Sequence, residues 1–235
     1  VYRERPSVVP GAVVWTILAG PGAPPARVLP DGCLDLICNS AGQFLVAGPD
    51  TTAHLAPDSP GVRWTGLRLP PGTGPAVLGV PALPLRDRRV PAADVWSDRS
   101  VRRLTAGADP VAGTGRWLER FAAARLAAVG GPDPLAAVLT GRLAAGASVA
   151  DLAAEVALSP RHLHRRCQDL FGYGPRTLAR ILRMRRALAL ARRGVPAAEV
   201  AARTGYADQP HLSRDVRALA GVPLGVLLRA GQPAG

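Results

Sequence analysis

The chain has 235 residues, a formal net charge of +12 and 48% hydrophobic residues. Its length allows two modest domains, its apolar content excludes a disordered chain, and no apolar run reaches the ~18 residues that a membrane span needs. Three cysteines in a chain that can bury a core without staples, and no basic-then-apolar leader after Val1, predict a reducing, cytoplasmic setting.

All the basic residues are Arg, with no Lys. With abundant Ala, Gly and Pro, that choice reads as the codon bias of a GC-rich genome. Where the charge lies is more informative. Residues 1–133 hold 14 Arg against 11 acidic residues, whereas residues 134–235 hold 15 Arg against 6. The excess positive charge therefore sits in the second part, as expected of a polyanion-binding domain, although a solvated basic surface has the same composition.

Residues 1–105 read as β-rich. Gly and Pro punctuate short apolar runs at 12–18 (AVVWTIL), 33–38 (CLDLIC), 43–48 (QFLVAG), 62–69 (VRWTGLRL) and 76–80 (AVLGV). Regularly spaced short strands predict a small barrel or sandwich. Residues around Pro91–Leu104 and Gly115–Val129 read as helices. The span 106–133 is expected to be a helical connector, with the linker GGPDP at 130–134. From residue 134 onward the pattern is helical, so the fold class is α+β, with a β-rich domain followed by an all-α domain.

The helical part contains a repeat. At an offset of 49, His162 falls on His211, Leu163 on Leu212, Arg165 on Arg214, Cys167 on Val216, Leu170 on Leu219 and Gly172 on Gly221. Each copy has an apolar helix (149–157 and 197–204), a turn, and a second helix with an N-cap at Ser159 or Asp208 and a Pro in its first turn. Two helices joined by a tight turn make a helix-turn-helix. In copy one, Leu163, Cys167, Leu170 and Phe171 share the inner face, and Arg161, His164, Arg165 and Gln168 the outer one. In copy two, Gln209, Pro210, Ser213, Arg214 and Arg217 take the outer positions. Arg suits guanine, Gln adenine, Ser either, and Pro methylenes a thymine methyl. An unbroken helix over 175–193, roughly 28 Å long at ~1.5 Å per residue, joins the copies. It carries Arg176, Arg180 and Arg183 on one stripe, suited to phosphates.

Residues 134–230 resemble the DNA-binding domain of the AraC/XylS family of bacterial transcription regulators through LAAEVALSPRHLHRR, RMRRALALA and VAARTGYADQPHLSRDVRALAGV. The resemblance implies base-facing roles for Arg161, His164, Arg165, Gln209, Pro210, Ser213 and Arg214. Cys167 and Val216 stand where the family usually has Phe, which affects packing. It also implies double-stranded DNA as partner, a small-molecule effector on the first domain, contact with RNA polymerase, and a monomer or homodimer, without membrane attachment.

Candidate pocket residues in the first part are Trp15, Cys33, Asp35, His54 and Trp64; the two Trp also fit a plain core. Cys33 and Cys38 face opposite sides of a strand, which argues against their pairing. Inert buried thiols and a thiol sensor both remain open, as does a first domain that only dimerises. No catalytic constellation, metal-ligand spacing or cofactor motif is legible, so an enzyme is not expected. DNA-repair methyltransferases with a similar domain carry a four-Cys zinc module that three cysteines cannot supply. A nucleoid protein binding by charge alone would not need paired recognition helices.

Overall fold

The computed structural model describes residues 2–18, 25–56, 60–97 and 113–229. Six strands form one antiparallel sheet in the order β1-β2-β7-β4-β5-β8: β1 (Tyr2–Pro6), β2 (Val13–Leu18), β4 (Leu34–Asn39), β5 (Phe44–Ala47), β7 (Arg63–Leu69) and β8 (Arg89–Pro91). The remaining strands, β3 (Arg27–Val28) and β6 (His54–Leu55), pair as a separate ribbon. The β-rich half thus precedes the helical half as the sequence predicts. Its strands form an open sheet whose edges, β1 and β8, do not pair with each other.

Period-two alternation sorts the sheet into two faces. Val14, Leu34, Leu36, Phe44, Val46, Leu67 and Leu69 point to one face and are buried. That face is covered by helix α3 (Thr114–Val129), which contributes Trp117, Leu118 and Ala122. Gly115 lets α3 approach closely, since a Cβ there would fall 2.8 Å from Val14 Cγ1. Glu119 then bolts the helix to the sheet edge. It accepts from Arg5 Nη1 and Nη2 at 2.8 and 2.7 Å and from the Val8 N–H at 3.1 Å. Residues 114–129, expected within a connector, pack into the same hydrophobic core as the sheet.

Two further expectations change. AVLGV (76–80) is not a strand: helix α1 (Gly74–Leu78) occupies it, started by Pro75 and stopped by Gly79 in the left-handed region at φ 78°. A run of four apolar residues cannot separate a strand from a buried helical turn. Of the helix expected at 91–104, α2 spans only Ala92–Val95, and Trp96 is extended. Trp96 instead donates to the Leu78 carbonyl at 2.9 Å and packs with Phe44 and Phe121. Residues 98–112 lie outside the described residues.

The second half is built of α4 (Pro134–Ala144), α5 (Val149–Glu155), α6 (Pro160–Phe171), α7 (Pro175–Arg192), α8 (Ala197–Thr204), α9 (Gln209–Ala220) and α10 (Leu224–Arg229). Leu163, Cys167 and Leu170 from α6 and Leu212, Val216 and Leu219 from α9 join one core along Leu178, Ile181, Met184 and Leu188 of α7. The small side chains at 167 and 216 are both fully buried, so the inner faces pack as the repeat predicts.

Candidate nucleic-acid interface

The second helix of each copy is capped in the same way. Ser159 Oγ accepts from the His162 N–H at 3.3 Å, and Asp208 Oδ1 from the His211 N–H at 2.6 Å. Pro160 and Pro210 sit in the first turns, where a missing N–H leaves nothing unpaired. Both helices stop at a left-handed glycine, Gly172 or Gly221, separated by the repeat offset. Two twelve-residue helices of matched register result.

Their outer faces are open. Arg161, His164 and Arg165 on α6 are exposed and Gln168 is half-buried; on α9, Gln209, Pro210, Ser213, Arg214 and Arg217 are exposed. The His164 imidazole lies back over Gly174, where a Cβ would fall 2.5 Å from its Cε1. Between the copies, α7 runs for 18 residues, roughly 27 Å at ~1.5 Å per residue.

The inner sides of these helices carry charges that sequence reasoning missed. Register position 166/215 holds Arg in copy one and Asp in copy two. Arg166 pairs with Asp133, the N-cap of α4. Asp215 is buried and accepts from Arg180 Nε and, at 3.0 Å, from the Tyr206 hydroxyl; Arg183 lies 3.7 Å away and stacks over the Tyr206 ring at 4.5 Å. Burial, reinforced by Asp215, raises the Tyr206 phenol above its ordinary range. Arg180, expected to serve phosphates, thus has an intramolecular partner fixing α9 to α7. The available signal was an acidic residue three positions after Leu212, at core spacing.

The face of the sheet opposite α3 gathers most of the pocket candidates. Trp15, Asp35, Trp64 and Arg68 point to it, with Arg89 at its far side. The Trp15 indole crosses Gly66, where a Cβ would fall 2.2 Å from its ring, and donates to Asp35 Oδ1 at 2.5 Å. Arg68 Nε is buried without a hydrogen-bond partner, 3.5 Å from Asp31 and 3.6 Å from Asp35. Burial raises the Asp35 carboxyl against the pull of Arg68. Cys33 sits beside this group, and burial, then Asp31, holds its thiol well above the ordinary range. His54 lies apart on the ribbon; burial and then Arg89 lower its pKa. Cys33, Cys38 and Cys167 are all free thiols.

A pair of helix-turn-helix units packed on one connecting helix defines a DNA-binding transcription regulator. Residues 152–230 match a family described as a helix-turn-helix domain, of the AraC type. Residues 12–91 match a family described as a domain of unknown function. No curated protein matches the chain. Among solved structures, the C-terminal domain of AraT, a response regulator from Geobacillus stearothermophilus, is 21% identical over 43% of this chain and 88% of its own, with a TM-score of 0.39. A probable AraC family transcriptional regulator from Rhodopseudomonas palustris is 22% identical over 40% of this chain and 94% of its own, with a TM-score of 0.35. ToxT from Vibrio cholerae is 8% identical over 97% of this chain and 98% of its own, with a TM-score of 0.48. Among the described residues, no helix is long and apolar enough to cross a membrane.

Proposed function

We propose that the protein is a sequence-specific regulator in which one monomer sets α6 and α9 into successive major grooves, controlled by a small molecule bound to the first domain. The observation that carries the DNA part is the match of the two helices: the same cap, the same glycine stop, and polar outer faces at the same register. In this reading Arg165 and Arg214 face guanines, Gln209 an adenine, Ser213 a base edge and Pro210 a thymine methyl. Arg161, His164, Gln168 and Arg217 line the same surfaces. Arg180 serves phosphates with the part of its guanidinium that remains exposed, while its Nε holds Asp215. The ~27 Å of α7 compares with the ~34 Å of one DNA turn.

The effector part rests on the face of the sheet opposite α3. Trp15 and Trp64 offer an apolar wall, and Asp35, Cys33 and Arg68, whose Nε is ion-paired with Asp31 and Asp35, offer polar anchors; His54 lies at the margin, on the ribbon. A pocket with an aromatic wall and few polar groups suits a small organic molecule. Its binding alters DNA affinity only as far as it favours one domain arrangement over another.

A thermal-shift screen of metabolites on the full chain, followed by DNA binding with each hit, tests both parts. Supporting results are a compound that raises the melting temperature and changes operator affinity, with Trp15→Ala abolishing both effects. If no compound stabilises the protein and a fragment of residues 130–235 is monomeric where the full chain is dimeric, the first domain is a dimerisation unit and the effector reading is wrong.

A further inference from the structure

Both recognition helices end against the first domain. At the end of α6, the Ala82 N–H donates to the Asp169 carbonyl at 2.8 Å, and a Cβ on Gly172 would fall 2.7 Å from Pro49 Cγ. At the end of α9, the Ala53 N–H donates to the Leu219 carbonyl at 2.7 Å and Arg27 Nη1 to the Ala220 carbonyl at 3.0 Å. A Cβ on Gly221 would fall 3.2 Å from that same Nη1. The last carbonyls of a helix lack partners within it and carry its negative pole. Backbone N–H groups and one guanidinium from the first domain supply what each helix end lacks.

The two contact points belong to one stitched unit. The Gly48 N–H donates to the Arg88 carbonyl at 2.9 Å, and the Asp87 N–H to the Pro49 carbonyl at 3.1 Å. The Thr51 N–H and Oγ1 both donate to the Asp87 carboxylate, at 2.6 and 2.9 Å, and Arg89 pairs with Asp50 through two bonds. Ala53 leads directly into β6, which pairs Leu55 with Arg27. A continuous strut therefore runs from Ala82, under α6, to Ala53 and Arg27, under α9. Between the two, the Asp31–Gly32 turn touches the middle of α7, with Asp31 3.5 Å from Arg185.

We infer that this strut sets the placement of α9 relative to α6, and that Arg27, outside the DNA-binding domain, is a positioning residue that determines the spacing between the two DNA elements. The inference rests on the reading that α6 and α9 each enter a groove. Among the described residues, Arg27 is the strut's one side-chain hydrogen-bond donor to these helix ends, so it can be altered without touching either reading face. Its loss leaves the Ala53 N–H, among the described residues, as the strut's remaining hydrogen bond to the end of α9, and loosens the strut's hold on the helix there.

The test uses the full chain as wild type, Arg27→Ala and Arg27→Lys. Each binds a pool of duplexes in which the two elements selected by the wild type are kept and the spacer between them is varied by single base pairs. Wild type is expected to favour one spacing roughly tenfold over its neighbours, and Arg27→Ala only about twofold, a difference of about 1 kcal/mol in spacing preference. Arg27→Lys, still a cationic donor, is expected to keep most of the preference. Base preferences inside each element should be the same in all three. A folded Arg27→Ala with the wild-type spacing profile, or one weakened equally at every spacing, overturns the inference. Should Arg27→Ala fail to fold, Arg27→Gln replaces it under the same criteria. If wild type itself selects no paired elements, the two-groove reading has failed rather than the role of Arg27.

Discussion

Replacing Asp215 with Ala removes the acceptor that joins α9 to α7. The Tyr206 hydroxyl loses a bond to a buried carboxylate, an interaction worth about 1.5–3 kcal/mol. Arg180 and Arg183 lose their counter-charge, but their side chains are 41% and 32% exposed and regain water, so they add less than about 1 kcal/mol. The expected loss is about 2–3 kcal/mol in the helical half. At roughly 4–8 °C per kcal/mol for a domain of about 100 residues, melting should fall by on the order of 10 °C. Asp215→Asn keeps a neutral acceptor for Tyr206 and should recover about half of that. Thermal unfolding followed by circular dichroism reads this directly. An Asp215→Ala protein melting within about 2 °C of wild type would show that the network contributes nothing, and the account of α9 anchoring would be wrong.

The carboxyl of Glu119 is held at about 2 by its hydrogen bonds to Arg5, against an ordinary 4.5. A lowered folded-state pKa gives stability that is present above pH 4.5 and lost as pH falls toward 2. Acid unfolding of the wild type should therefore steepen in that window and flatten in Glu119→Gln. Because Arg5 is half exposed, the loss at neutral pH from that substitution should be about 1–2 kcal/mol; identical acid profiles for the two proteins would contradict this. Burial pushes the Cys167 thiol up to about 12, so it should resist thiol reagents in the native protein, and Cys167→Val should fold and bind DNA nearly as wild type. Labelling of Cys167 as fast as a free thiol would overturn its assignment to the core.

The helical half was legible because the chain states it twice. A single polar helix face is ambiguous, but Leu163 and Leu212, Gly172 and Gly221, and Ser159 and Asp208 repeat caps, stops and core positions at one offset. Short elements of the first half were not legible: β1 reads YRERP, an exposed edge with no apolar alternation, and AVLGV is too short for its period to be read. The inner network was hidden for a different reason. Arg166 and Asp215 share a register position with opposite charges, and each finds its partner far along the chain, at Asp133 or Arg180. The strut under the helix ends was beyond any sequence pattern, since its donors at 53 and 82 are backbone N–H groups.

The central claim is that α6 and α9 read DNA sequence through their outer faces, and selection of bound duplexes from a random pool tests it most directly. Wild type should select two elements about one helical turn apart. Arg165→Ala should lose preference at one position in one element, and Arg214→Ala at one position in the other, each at a cost of ~1–3 kcal/mol on the preferred site. An Arg214→Ala protein that selects the same sequences as wild type, with the same strength at every position, would contradict the assignment of the recognition helices.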